Sequence, residues 1–240
     1  MHAVDALASR FGLDDAAADS LTTLLQRVAN DPFAPTTVSD VNGILNDHLA
    51  DSLIVLELSD VRDAVTIADV GSGAGFPGLP VAIALPNARV SLIDGNGRKC
   101  DFIAASAVAC GVTNIEVVHA RVEAWPEGTG RHDLVMVRAV APLSVVAEYA
   151  APLLRMGGSL VAWRGRRDRA EEAGAARAAA ELGLDVRPPI AVEPYPGALH
   201  RHLHRLVKVS PTPDRFPRRP GVARKRPLGR LAARSDRRHR

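Results

Sequence analysis

The run Asp69-Val70-Gly71-Ser72-Gly73-Ala74-Gly75-Phe76-Pro77-Gly78 is where residue types and spacing imply chemistry most directly. Gly71, Gly73 and Gly75 let the backbone turn tightly and approach a ligand more closely than a Cβ would permit. The spacing narrows the ligand. A dinucleotide loop runs Gly-x-Gly-x-x-Gly with its amides on a pyrophosphate, and here the third glycine comes one residue early. Asp69, at the end of the preceding apolar run, would repel a pyrophosphate and suits a cationic ligand. No Gly-Lys-Ser/Thr follows, which excludes a P-loop NTPase. A second acid, Asp94, stands 25 residues after Asp69 at the end of the next apolar run. A carboxylate there can accept both hydroxyls of a ribose. Asp94 by itself specifies a ribose, not a cofactor, and would serve a nicotinamide dinucleotide equally well.

The elements that must position this loop are legible from periodicity. Candidate strands are 65–70, 89–94, 115–120, 133–138 and 159–164, with helical stretches at 78–85, 98–110, 142–155 and 168–182 between them. Apolar strands alternating with helices predict a doubly wound, mostly parallel α/β sheet covered on both faces, with ligands at the strands' carboxyl ends. Further strands are expected near 184–192 and 201–209. Before them, Leu21, Leu24, Leu25 and Val28 share one face of a helix that Asp14 can cap, and Pro32 and Pro35 break it. Another helix follows Ser39 or Asp40, carrying Val41, Ile44, Leu45, Leu49, Leu53 and Leu56 on its apolar side. The expected organisation is a helical extension over 1–60, a Rossmann-like domain over 61–210 and a basic tail over 211–240.

Composition sets the bounds. The 240 residues are 47% apolar, 24% charged and 4% aromatic, enough to bury a core, with no apolar run approaching the ~20 residues of a membrane helix. The opening MHAVDALASRFGLDD lacks a basic and then apolar leader, so no cleaved secretory signal is expected. Two cysteines, Cys100 and Cys110, make neither a disulfide framework nor a four-ligand zinc site, which suits a reducing cytoplasm. The net charge of +3 divides unevenly: residues 211–240 carry eleven Lys/Arg against Asp214 and Asp236, whereas the preceding 210 hold 19 bases and 25 acids. An acidic globule with a +9 tail fits a polyanionic partner, and equally a solvated appendage. Prolines 211, 213, 217, 220 and 227 keep the first part of that tail extended, so removing it should cost polyanion affinity far more than small-ligand affinity.

The order acid-x-Gly-x-Gly-x-Gly resembles motif I of the class I S-adenosylmethionine-dependent methyltransferases. The likeness goes further. From about residue 35 to 228 the sequence resembles the bacterial ribosomal RNA small subunit methyltransferase G family, also called glucose-inhibited division protein B. It does so through His48-Leu49-Ala50-Asp51-Ser52-Leu53, DVGSGAGFPGLP (69–80), Val118-His119-Ala120-Arg121-Val122-Glu123, Arg138-Ala139-Val140-Ala141-Pro142-Leu143 and Phe216-Pro217-Arg218-Arg219-Pro220-Gly221. The resemblance implies S-adenosyl-L-methionine as cofactor and N7 of a guanine in 16S ribosomal RNA, or in the small ribosomal subunit, as methyl acceptor. It implies cofactor contacts from Asp69, Gly71, Gly73, Gly75, Phe76, Asp94, Val122, Glu123 and Arg138, and positioning of the substrate by Arg121, Arg138 and Arg201. The chain departs from the family at Ala34-Pro35, where Asn-Leu is common, and at Val137, where Ser is common.

The absences agree with that chemistry. Guanine N7 has a free lone pair, so no general base is expected. Neither an Asn/Asp-Pro-Pro-Tyr element nor a Pro-Cys loop is present, the marks of exocyclic-amine and pyrimidine-C5 methyltransferases. Blander readings remain for single residues. Arg138 could pair with an acid such as Asp133, and His48 and His119 would be structural. Trp125 and Trp163 would be packing residues, and His200, His202 and His204 would share one face of a partly exposed strand near an RNA face, without binding metal. The alternatives to an rRNA enzyme are a methyltransferase of the same fold acting on another RNA or a small molecule, and a non-catalytic RNA-binding relative. No metal, no membrane contact and a monomeric state are expected.

Overall fold

The computed structural model describes residues 3–38 and 40–229. Two helices open the chain, α1 (Ala3–Phe11) and α2 (Asp15–Asn30). Asp14 caps α2 by accepting from the Ala17 amide at 2.8 Å, and Leu21, Leu24, Leu25 and Val28 form its buried face. The helix expected after residue 40 is a composite. It runs through α3 (Val41–Gly43), a π-helical stretch Ile44–Ala50, α4 (Asp51–Leu53) and a 3-10 turn Ile54–Glu57, followed by α5 (Ser59–Arg62). Asp40 caps it through the Gly43 amide at 2.7 Å, while Ser39 lies outside the described residues. Wide π turns recur at functional sites, and this one carries Asp47 and His48.

Alternation then begins: β1 (Thr66–Val70), α6 (Gly78–Ala84), β2 (Arg89–Asp94), α7 (Gly97–Ala109), β3 (Ile115–His119), β4 (His132–Arg138), α8 (Leu143–Ala150), β5 (Leu154–Arg164) and α9 (Arg169–Leu182). The sheet closes with β6 (Leu184–Val186), β7 (Ile190–Val192) and β8 (Arg201–Lys208), and the short α10 (Val222–Lys225) follows. Neighbours run β3-β2-β1-β4-β5-β8-β6, with β7 also on β8. The first five are parallel, and β8 is antiparallel to β5. The single strand expected over 184–192 is two, because Pro188 and Pro189 supply no amide hydrogen for the ladder. The strand order reverses at β1 and β4, the switch point at which open α/β sheets bind ligands.

Alternating side chains feed two apolar cores. In β4, Leu134 and Met136 join the α1, α2, α6 and α7 side, whereas Val135 and Val137 join the α8 and α9 side. Residues of the N-terminal helices, Leu24, Ile44 and Leu53 among them, share the first core with Ile67 and Leu92, so the extension is packed as a layer on the sheet. Cys100 and Cys110 are buried free thiols in and at the end of α7, and burial pushes both thiols up.

The tail does not stand off. Phe216 and Ala223 are buried in the second core. Arg218 grips both carboxylate oxygens of Glu148, which is 1% exposed on α8. Residues 230–240, the end of the expected basic tail, lie outside the described residues. Removing one partner of a buried pair strands the other charge. Arg218→Ala should therefore cost about 3 kcal/mol of stability by urea denaturation. An unchanged midpoint would mean that the tail is only loosely laid against α8.

Candidate active site

At the carboxyl ends of β1, β2, β3 and β4 lies a cleft of about 390 Å³, inside the ~300–1,000 Å³ usual for small-molecule sites. Gly71 from the loop, Asp94 at the end of β2, Arg121, Val122 and Glu123 after β3, and Arg138 at the end of β4 all line it. Gly71 has φ +77°, and a Cβ there would sit 2.6 Å from Val140 Cγ2, so only glycine lets the loop close against the next wall. Asp94 is braced: Oδ2 accepts from the Gly73 amide at 3.1 Å, and Oδ1 from the Asn96 amide at 2.9 Å. A carboxylate offers about four acceptor positions, so two remain for a ligand diol. Lys99 Nζ stands 3.9 Å from Oδ2.

Of the other loop residues expected at the ligand, Asp69, Gly75 and Phe76 brace the loop from within. Asp69 is fully buried; its Oδ2 accepts from the Gly78 amide at 2.9 Å, and its Oδ1 has no partner. Burial pushes this carboxyl up to about 7, against the pull of the Gly78 hydrogen bond. Gly75 has φ +94° and lies against Leu79, which turns the chain into α6. Gly73 holds Asp94 through its amide and does not line the cleft. Phe76 is buried, with its ring stacked on His48 at 4.6 Å and 14°. An aromatic ring after the glycines fills the gap between loop and N-terminal layer instead of meeting solvent.

A second cavity of about 410 Å³ adjoins the first, and Arg138 and Ala139 line both. Asp47, His48 and Asp51 reach it from the π stretch and α4, Trp163 and Arg164 from β5, and Arg201 from β8. Arg138 does pair with an acid, but with Asp51 and not Asp133: Nη1 donates to Asp51 Oδ2 and to the Asp47 carbonyl, each at 2.9 Å. Asp133 is occupied by Arg155 and Thr66. Arg201 pairs with Asp47 Oδ1 at 3.1 Å, which also accepts from the Tyr195 hydroxyl. Burial and the Arg138 charge lower His48 to about 4, so its ring is neutral near pH 7. Arginine only donates, so Nδ1, 3.4 Å from Arg138, accepts, and Nε2–H donates to Thr36 Oγ1 at 2.7 Å. The Trp163 indole donates to the Asp51 carbonyl at 2.7 Å, a fastening contact.

A profile described as rRNA small subunit methyltransferase G matches residues 16–187. A protein of that name from Chloroflexus aggregans is 40% identical over 204 residues, covering 83% of this chain and 84% of its own. One from Rubrobacter xylanophilus is 42% identical over 191 residues, covering 77% and 73%. The chain belongs to the rRNA small subunit methyltransferase G family. Its fold is that of the S-adenosylmethionine-dependent methyltransferases. A solved methyltransferase of that kind from Aquifex aeolicus superposes with TM-score 0.54 at 15% identity, covering 80% of this chain and 99% of that one.

Lys99, Tyr149 and Arg224 are among the cleft residues of this family member that escaped the sequence reading. Lys99 follows Asp94 by five residues, a signal that was available. Arg224 was counted only as tail charge. Its Nη2 donates to the Val140 carbonyl at 2.8 Å, and the neighbouring Gly221 amide donates to Glu123 Oε1 at 2.9 Å. The tail thus forms part of the cleft wall. Among the described residues, no group of three His, Cys, Asp or Glu is placed to hold a metal ion, and no helix is long and apolar enough to cross a membrane.

Losing charge-assisted hydrogen bonds to a ribose costs about 1.5–3 kcal/mol, so Asp94→Ala should weaken S-adenosylmethionine binding by that much in calorimetry. An unchanged affinity would remove Asp94 from the site. Asp69 generates a pH dependence. The folded chain keeps its proton up to about 7, whereas a free carboxyl releases it near 3.8. The native state binds the extra proton in between, so this group's share of stability is full below about 4 and is lost as pH rises through about 7. Asp69→Asn should flatten that fall in urea denaturation at stepped pH, and a slope equal to wild type would show that another group causes it.

Proposed function

We propose that this chain transfers a methyl group from S-adenosyl-L-methionine to N7 of a guanine in small-subunit ribosomal RNA, acting in the cytoplasm as a monomer. The observation that carries this reading is the pair of adjoining cavities sharing Arg138 and Ala139, one fitted for a ribose-bearing cofactor and one open beside it. The residues present fit the cofactor. Asp94 has acceptor capacity for a diol, Gly71 leaves the space that a Cβ would fill, and Val122 offers an apolar edge beside Glu123. A reducing compartment suits two free thiols.

When bound, S-adenosylmethionine supplies an electrophilic methyl group that guanine N7 takes with its own lone pair, so no proton has to be removed first. The protein's work is orientation. Holding two partners in near-attack geometry can supply up to ~7–11 kcal/mol of barrier lowering. Arg138, fixed by Asp51 and the Asp47 carbonyl, stands where the two cavities meet and sets the wall between them. Arg121, exposed at the cleft mouth, and Arg201, at the second cavity, offer cationic contacts to RNA phosphate. Neutral His48 keeps Arg138 from bending away without adding a second charge.

The test is mass spectrometry of 16S rRNA from a strain lacking this gene. One 7-methylguanosine should disappear and return on complementation. Intact rRNA methylation in that strain would move the reading to another RNA or a small molecule. Unchanged methylation with bound RNA would make the chain a non-catalytic relative.

A further inference from the structure

Adenine and guanine both carry an N7 lone pair, so the cofactor cleft cannot by itself choose between them. What separates guanine is its other edge: the N1–H and N2 amino donors beside the O6 acceptor. A discriminating site must therefore present acceptors for two adjacent N–H groups and a donor next to them. The second cavity contains that set. We infer that the 410 Å³ cavity receives the target guanine base, with Asp47 and Asp51 accepting from N1–H and the N2 amino group and Arg201 donating to O6.

Several observations support the assignment. Asp51 uses only Oδ2 on Arg138, and its Oδ1 lies 4.0 Å from Arg201 Nε, beyond hydrogen-bond reach. Arg201 Nε and Arg164 Nε are buried donors with no partner, and both residues line this cavity. The cavity lining therefore sets an unused acceptor, Asp51 Oδ1, beside two guanidiniums whose buried Nε–H groups lack partners, and a base edge with both kinds of group can use such a pairing. Adenine would instead bring the lone pair of its N1 against a carboxylate and would be repelled. Arg138 separates this cavity from the cofactor cleft, so a base lodged here has the cofactor cleft directly alongside.

This inference rests on the guanine-N7 reading and is tested after it. Once the methylated guanine has been located, 16S rRNA is rebuilt by splinted ligation with inosine, which lacks only the N2 amino group, at that position. Competition binding to the full chain with S-adenosylhomocysteine then gives a guanine-to-inosine ratio. Wild type should prefer guanine roughly ten- to hundredfold, the usual effect of a hydrogen bond to a charged acceptor. Asp47→Ala or Asp51→Asn should bring the ratio to within about threefold of unity. Calorimetry should show S-adenosylmethionine affinity unchanged in the Asp47→Ala protein, because the Asp47 side chain does not hold Arg138. Asp47 is half-exposed, so its variant carries the test if Asp51→Asn fails to fold. A wild type that ignores the amino group overturns the inference, as does a ratio that survives in the folded variants. If wild type methylates no guanine at all, the underlying reading fails first, before any inosine is introduced.

Discussion

The ion pair between Arg138 and Asp51 is the contact on which both cavities depend. It spans 2.9 Å between side chains that are 15% and 10% exposed, and it joins the end of a central parallel strand to the helical layer in front of it. Burial alone would push Asp51 towards its neutral form, and the guanidinium opposes this. A buried pair of this kind is weak evidence for net stability, because desolvation offsets much of the attraction. Its value here is geometric. Arg138 also holds the Asp47 carbonyl and stands 5.9 Å from the Phe76 ring, so one side chain fixes the π stretch, the glycine loop and the wall between two pockets. Replacing the pair by apolar residues would keep the packing and lose all three alignments.

The tail adds a second constraint on the opposite side of the cofactor cleft. Arg218 on Glu148, the Gly221 amide on Glu123 and Arg224 on the Val140 carbonyl tie one short segment to α8, to the turn after β3 and to the turn after β4. The tail therefore spends part of its charge inside the protein. Arg218 and Arg224 are committed to internal partners, and the polyanion-binding capacity inferred from eleven bases is smaller than the count suggests. A basic segment that both walls this cleft and borders solvent couples the cleft to that surface physically, since displacing it exposes Glu123 and disturbs Arg224.

Much of this arrangement was legible in the sequence, and the reasons for the rest are specific. Strand and helix positions followed from apolar periodicity, because a doubly covered parallel sheet writes nearly continuous apolar runs. Gly71 and Asp94 could be placed in the cleft from spacing alone, since both stand at strand ends, where topology sets the site. Asp69 and Phe76 show what spacing leaves open. Sequence adjacency to a ligand loop does not say which way a side chain points, and both turn inward, Asp69 to the start of α6 and Phe76 to His48. The Asp51 partner of Arg138 is 87 residues away, and Tyr195 reaches Asp47 over 148. Pairings of that range are made by the fold and have no local signature. His48, which looked structural, is held between Thr36, Phe76 and Arg138, so it is structural and beside the site at once.

The turn after β4 explains why these features occur together. Ala139 has φ +55°, a conformation that costs a non-glycine residue about 1–3 kcal/mol and persists only where the surroundings enforce it. Glycine would relieve that strain and also free the chain at the point where both cavities share a wall. The reversal at Ala139 lays the Val140 side chain against Gly71, at the spot where a Cβ on Gly71 would come within 2.6 Å. It also turns the Val140 carbonyl to the Arg224 guanidinium at 2.8 Å. One strained residue thus accounts for a glycine in the loop 68 positions earlier and an arginine contact 85 positions later. Strain of this size is small beside the barrier lowering available from positioning, so retaining alanine there favours alignment of the two cavities over ease of folding.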